Sequence, residues 1–313
     1  MLSRMLGTTT LLCVSSLLLI AMAADAAPPD PARAPASRPA ANADHFLRSG
    51  QMVVGFSRDM GGSIVHVSTP DGPNLVNVHD PGRLIQQSYY AGQTRERPEH
   101  HPAWKKWAWN PIQGGDAFNF TPGSLRFETL PDGRFYAETT GLNWPARNER
   151  LRSTMRQWAR FESPNVLEVT CEFVSDRLPG DDWGDATRPS HQEVPAAYFV
   201  ADLTRLVTYR DGQPVEFEHK MWNFAQPLPE RWAACVDERG WGIGVYSRDA
   251  EQANIGKAGT GRGGPAAAPT MHIAPIVTRA FAPQDRMTYT YYLILGDLDT
   301  IRATARRLFD AGK

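Results

Sequence analysis

Turns recur along this chain at hairpin spacing, and that spacing limits what it can fold into. "SLRFETL" and "RFYAETT" flank Pro131-Asp132-Gly133, "LTRLVTYR" and "PVEFEHK" flank Asp211-Gly212-Gln213, and "AACVDE" and "GIGVYS" flank Arg239-Gly240-Trp241. Asp-Gly pairs accept the left-handed backbone of a tight hairpin, and the flanking runs are rich in β-branched and aromatic residues. "QMVVGFS", "SIVHVST", "STMRQWARFE", "NVLEVTCEFVS" and "RMTYTYYLIL" add strands of the same texture. Only residues 298–311, "LDTIRATARRLFDA", have a helical period. There Ile301, Ala305, Leu308 and Phe309 fall on one face, and Asp299 or Thr300 can cap the start. Strands do not alternate with helices and none is followed by a Gly-rich phosphate loop, which argues against a parallel α/β enzyme. The expected fold is all-β: one large antiparallel β-sandwich of two curved sheets, with the single C-terminal helix packed on its edge. Residues 256–269 are too Gly-rich for a strand and read as a mobile loop.

The sandwich is expected over residues 44–313. Residues 1–26 read as a secretory signal peptide: Arg4 makes the start basic, "TLLCVSSLLLIA" is an apolar core too short to span a bilayer, and Ala24-Asp25-Ala26 fits a cleavage site. Residues 27–43, "APPDPARAPASRPAANA", read as a disordered Pro/Ala-rich linker. The expected location is secreted or periplasmic, with no membrane contact once the signal is cleaved. Lys+Arg number 33 against 34 Asp+Glu, so the net charge of −1 leaves no basic footprint for nucleic acid. Cys171 and Cys235 sit in strand-like runs and read as buried small hydrophobes.

Chemistry concentrates in residues 77–116, "NVHDPGRLIQQSYYAGQTRERPEHHPAWKKWAWNPIQGGD". Asp80, Arg83, Gln87, Tyr90, Asn110, Gln113 and Asp116 are interleaved there with Trp104, Trp107 and Trp109. Sugars suit such a mixture, because they offer apolar C–H faces to aromatic rings and hydroxyl pairs to amides, carboxylates and guanidinium. Two further stretches share the texture: "RPSHQEVPAAY", with His191 and Glu193 at a loop-to-strand junction, and "HKMWNFAQPLPERW", with Trp222, Asn223, Glu230 and Trp232.

Glycoside hydrolysis needs two carboxylates, one a proton donor and the other a base or nucleophile. Glu193, Asp80 and Asp116 are the candidates, with Glu193 as acid or base and Asp80, ahead of Asp116, as its partner. Asp80 has a second interpretation as an Asx turn, since "HDPGR" is good turn chemistry. Arg83, Gln87, Tyr90, Trp109, Asn110, Gln113 and His191 are the expected sugar-binding set. Lyase chemistry is the rival: Tyr90, His100, His101 or His191 would act as base or acid on a uronate, with Arg83, Gln87 and Asn110 neutralising its carboxylate. A non-catalytic sugar-binding protein is a third possibility. No metal site and no cofactor is expected, because His79-Asp80 and Glu99-His100-His101 match no zinc spacing.

The phrases "DPGRLIQQSYY", "WNPIQGGD", "HQEVPAAYF", "YRDGQPVEF", "ERWAACVDERGWGIGVYS" and "YTYYLILGDLDTIR" resemble secreted bacterial carbohydrate-active proteins with a galactose-mutarotase-like β-sandwich. The resemblance implies a carbohydrate ligand. A mutarotase pattern would also carry central His residues and a late catalytic Glu. His191 fits the first, and no late Glu stands out, which speaks against epimerisation.

Overall fold

The computed structural model describes residues 41–91, 97–105, 109–181, 188–218 and 223–313. The expected signal peptide, nearly all of the linker, Trp107 and Trp222 lie outside the described residues, as does the side chain of Asn223. Among the described residues the strands form two antiparallel sheets, of ten and nine strands. The first sheet runs His45–Ser49, Met52–Phe56, Ile64–Ser68, Ile85–Ser88, Ser190–Val200, Thr270–Arg279, Gln252–Ala258, Asn223–Pro227, with Pro111–Ile112 and Leu142–Asn143 attached beside Ile85–Ser88. The second runs Gln213–Glu216, Arg205–Arg210, Trp232–Val236, Trp241–Tyr246, Arg286–Asp297, Val166–Ser175, Ser153–Ser163, Phe135–Thr139, Arg126–Thr129.

Alternation builds the core between them. In Val166–Ser175, Leu167, Val169, Cys171 and Phe173 point inward, while Glu168, Thr170 and Glu172 take the other face. They meet Val54, Phe56, Ile85, Phe199 and Ile273 of the first sheet. Each such side chain, buried fully, contributes about 1.5–3 kcal/mol. Cys171 and Cys235 are buried free thiols within this core. No helix among the described residues is long and apolar enough to cross a membrane.

The helix Leu298–Asp310 differs from expectation in three ways. It covers the outer face of the second sheet rather than an edge: Ile301, Ala305 and Leu308 pack on Trp232, Ala234, Tyr246, Tyr292 and Ile294. Its cap is Asp297, whose Oδ1 accepts the Thr300 N–H at 2.8 Å, one turn earlier in the chain than Thr300 itself could serve. Phe309 is 48% exposed, because the buried stripe is the narrow i, i+4, i+7 row alone. Glu230 and Trp232, suspected as site residues, belong here instead. Glu230 receives both ends of the Arg302 guanidinium at 2.9 and 2.7 Å, and Trp232 is in the layer under the helix. Gly244 sets the helix height: a Cβ there would lie 2.5 Å from Ile301 Cγ2. Gly244→Ala should therefore lift the helix and cost about 1–3 kcal/mol in urea unfolding, the usual penalty of overpacking. Wild-type stability in that variant would show that the helix is not seated this way.

Residues 256–269 also depart from expectation. Gln252–Ala258 is a strand that includes Gly256, since Ala253 and Ile255 supply its core face. The connection that follows is tied down. Asn77 Nδ2 donates to the Ala267 and Pro269 carbonyls at 2.9 and 3.2 Å, and the Val78 N–H donates to Pro265 O at 2.7 Å.

Candidate functional site

Strict alternation along Ser190–Val200 would put Glu193 and Tyr198 on opposite faces. One extra residue changes that. Glu193 pairs with Ser88 and Ala196 with Gln86, three residues against two, which is a β-bulge centred on Pro195. The Val194–Pro195 peptide is cis. As a result Glu193, Ala196 and Tyr198 share the outer face, while Val194, Ala197 and Phe199 remain in the core.

A pocket of about 820 Å³ lies over that outer face. Its floor is the sheet residues Glu193, Ser88, Tyr198 and Asn254, with Tyr90 two residues beyond the end of Ile85–Ser88. Its walls are Asp80, Arg83, Asn110, Trp144 and Arg188 from connecting segments, Trp104 from the short 3-10 turn Pro102–Trp104, and His191 from the start of the strand Ser190–Val200. Trp144 can approach because residue 82 is glycine, where a Cβ would lie 2.6 Å from the indole ring.

Glu193 is the centre of the floor. Its Oε2 accepts the Tyr90 O–H at 2.8 Å, and Tyr90 Oη in turn accepts the Ser88 hydroxyl at 3.1 Å. Burial pushes the Glu193 carboxyl above the ordinary range, against the opposing hydrogen bonds of Tyr90, Ser88 and Asn254. Burial and the neighbouring Glu193 both hold Tyr90 far above the usual phenol value, so it stays a donor. His272 lies behind, with Nε2 3.8 Å from Glu193 Oε1 and its ring stacked on Tyr198 at 4.2 Å between centroids. Burial lowers His272 to about 3, so it is neutral and this contact is no ion pair. A buried carboxyl with a raised pKa, held by a fixed donor, is suited to deliver a proton.

Asp80 combines both of its sequence interpretations. Oδ1 accepts the Gly82 N–H at 3.0 Å as an Asx turn, and Oδ2 lies 3.1 Å from Arg83 Nε. Arg83 also donates to the Ala268 carbonyl, which fixes the guanidinium on the wall. Asn110 and Asn254 matter for another reason. Each is almost fully buried, each lines the pocket, and each side-chain carbonyl oxygen has no hydrogen-bond partner among the described residues. Buried acceptors are normally satisfied, so these two call for O–H or N–H donors from a ligand or solvent.

The structure thus brings together Glu193, Asp80, Arg83, Tyr90, Asn110 and His191 around one cavity. Four other candidates lie elsewhere. Asp116 is fully buried, and its two oxygens accept the N–H groups of Phe118, Phe120 and Asn148, at 2.8, 3.0 and 2.6 Å. Gln87 is inward-facing: its Nε2 donates to Arg156 O and its Oε1 accepts from Tyr89 Oη. Gln113 spans Gly61 O and Gln157 Oε1, and accepts the Gln87 N–H. Trp109 packs against Phe173 and Phe281 in the core. Parity explains the Gln87 case, since in "IQQSYY" Ser88 and Tyr90 face the pocket while Gln87 and Tyr89 face inward. Ser88, Trp144, Arg188, Tyr198, Asn254 and His272 were not anticipated. Period two in "QQSYY" was a usable signal for Ser88. Tyr198 depends on the bulge, which no spacing announces. Among the described residues no group of His, Cys, Asp and Glu side chains has the arrangement of a metal site.

No protein-family model matches the chain, and no curated protein matches it significantly. Solved structures do align with it at low identity. A galactose mutarotase related enzyme from Lactobacillus acidophilus is similar at 11% identity and TM-score 0.48, over 80% of this chain and 96% of that one. A galactose 1-epimerase from Lactobacillus acidophilus NCFM is similar at 13% and 0.45, over 80% and 93%. A polysaccharide lyase is similar at 10% and 0.43, over 83% of this chain and 35% of that one. At such identities and scores, what this chain does has to be derived from its own pocket.

Proposed function

We propose that this protein is a carbohydrate-active enzyme, exported from the cytoplasm, that hydrolyses a glycosidic bond with Glu193 as proton donor. The observation that carries it is the Glu193 carboxyl, buried at the floor of a pocket, driven toward its neutral form and held by Tyr90 at 2.8 Å. Asn110 and Asn254 support a hydroxyl-rich ligand, because their buried oxygens need donors. Trp104 and Trp144 offer ring faces for the C–H side of a sugar. In the reaction Glu193 passes its proton to the glycosidic oxygen as the C–O bond breaks. Asp80 is the second carboxylate, either attacking the anomeric carbon or taking a proton from the water that does. Export rests on the leader-like residues 1–26.

Lyase chemistry is the second reading, favoured by the Tyr90 hydroxyl at the floor and the Arg83 guanidinium on the wall. One assay separates the two. A polysaccharide panel is digested and each sample is read both for new reducing ends and for the ultraviolet absorbance of an unsaturated uronate. Reducing ends alone support hydrolysis. Both signals together overturn hydrolysis in favour of elimination, and neither signal across the panel overturns the enzyme reading.

Tyr90→Phe gives a further check through pH. The active form of Glu193 is protonated, so turnover persists below its raised pKa and falls as pH climbs through it. The Tyr90 hydrogen bond favours the anion and thus lowers that pKa. Its removal should move the alkaline limb of the kcat profile to higher pH while turnover survives. An unmoved limb, or one displaced downward, contradicts the assignment; abolished turnover points to Tyr90 itself as the elimination base or acid.

A further inference from the structure

We propose that the pocket takes an acidic sugar, its carboxylate or sulfate held at the rim by Arg188. This rests on the sugar-pocket reading above and adds the charge of the ligand. Among the described residues the charged groups lining the pocket are Asp80, Glu193, Arg83 and Arg188, with His101 and His191 beside them. Asp80 and Arg83 cancel at 3.1 Å. Glu193 is buried, its Oε2 occupied by Tyr90, and burial drives it toward the neutral acid. Both acids therefore already have partners within the site. Arg188 is exposed, lines the cavity and makes no ion pair or hydrogen bond among the described residues. His101 Nδ1 accepts the Ala103 N–H at 3.2 Å, which leaves the hydrogen of a neutral ring on Nε2, a donor rather than an acceptor.

The donor–acceptor pattern is thus divided by depth. The buried part of the lining holds unpartnered acceptors, the Asn254 oxygen of the floor and the Asn110 oxygen of the wall, suited to hydroxyl groups. Among the described residues the wall and rim hold donors and the Arg188 charge, suited to an anion. A neutral sugar would gain little from Arg188, whose side chain is open to solvent. A carboxylate or sulfate can take two parallel charge-assisted hydrogen bonds from it. The whole chain has a net charge of −1, so any attraction for an anion comes from this local arrangement rather than from general basicity.

The test uses calorimetric titration of the full exported chain with matched ligands. These are uronate oligosaccharides, the same oligosaccharides with every carboxyl reduced to an alcohol, and sulfated oligosaccharides. Binding to an acidic form about tenfold or more tighter than to its reduced form is expected, the scale of one hydrogen bond to a charged group. Arg188→Gln should collapse that preference without weakening the reduced ligand, and added salt should erode it. Whether the carboxylated or the sulfated series binds more tightly identifies the anion. Equal binding of acidic and reduced forms, or an unchanged preference in Arg188→Gln, overturns the charge assignment while leaving the sugar pocket intact. Failure of every oligosaccharide to bind overturns both.

Discussion

With Glu193 as the proposed proton donor, Glu193→Gln should remove turnover on a sugar substrate and leave fold and binding in place. The amide keeps the size of the side chain, and its oxygen can still accept the Tyr90 O–H now made at 2.8 Å. It has no proton to give at ordinary pH. Burial already disfavours the carboxylate charge, so a neutral amide brings no new desolvation cost. Loss of a positioned general acid is worth about 10²–10⁴ in rate. The expected result is a kcat lower by that factor, with ligand Kd and the urea midpoint close to wild type. A kcat within a few-fold of wild type would remove Glu193 from the chemistry. A lost midpoint would make it a structural residue.

Asp116→Ala should produce the largest loss of stability. Three backbone N–H groups, of Phe118, Phe120 and Asn148, converge on this one carboxyl and lose their acceptor together. At about 1–3 kcal/mol for each unsatisfied buried donor, the cost is about 3 kcal/mol or more. The loss has a pH signature. Burial pushes Asp116 up to about 6, so the folded state holds the proton more tightly than the unfolded chain. The contribution of this group is complete below the unfolded carboxylate range near pH 4 and declines as pH rises to about 6. The difference between wild type and variant in urea should therefore be greater at pH 5 than at pH 8. A pH-independent difference, or none, would contradict this account. Ala117 and Asn119, which line the pocket, sit on the loop that Asp116 organises, so pocket binding should weaken with it.

The fold was legible because its signals are local. Asp-Gly turns and period-two runs identified most of the second sheet, and the helix stood out by its different period. The strand Ser190–Val200 is harder to read from sequence. "SHQEVPAAY" carries a proline, a charge and two small residues, none of which announces a central strand. Tertiary context overrides that, since the strand is paired on both sides and buried along most of its length. This mattered for the site. By sequence Glu193 reads as a loop-to-strand junction residue, whereas it lies within the sheet, on a face decided by the bulge.

Site residues were legible as a composition but not as a geometry. In 77–116 the chain spends its polar groups on two tasks that look alike in sequence. Asp80, Arg83, Tyr90 and Asn110 face the cavity. Gln87, Gln113 and Asp116 satisfy buried backbone and amide groups beneath it. An amide that holds a loop and an amide that holds a sugar use the same hydrogen bonds, and only burial and partners separate them. Trp109 shows the same limit for aromatics, because the core took a ring that a binding platform could have used.

The central claim is that Glu193 protonates a glycosidic oxygen in this pocket. A crystal structure of Glu193→Gln with the oligosaccharide that the wild type cleaves tests it most directly. The account predicts the scissile oxygen within about 2.6–3.2 Å of the residue 193 amide, with Asp80 facing the anomeric carbon. A sugar bound on another surface, or one that presents only peripheral hydroxyls to residue 193, would contradict it.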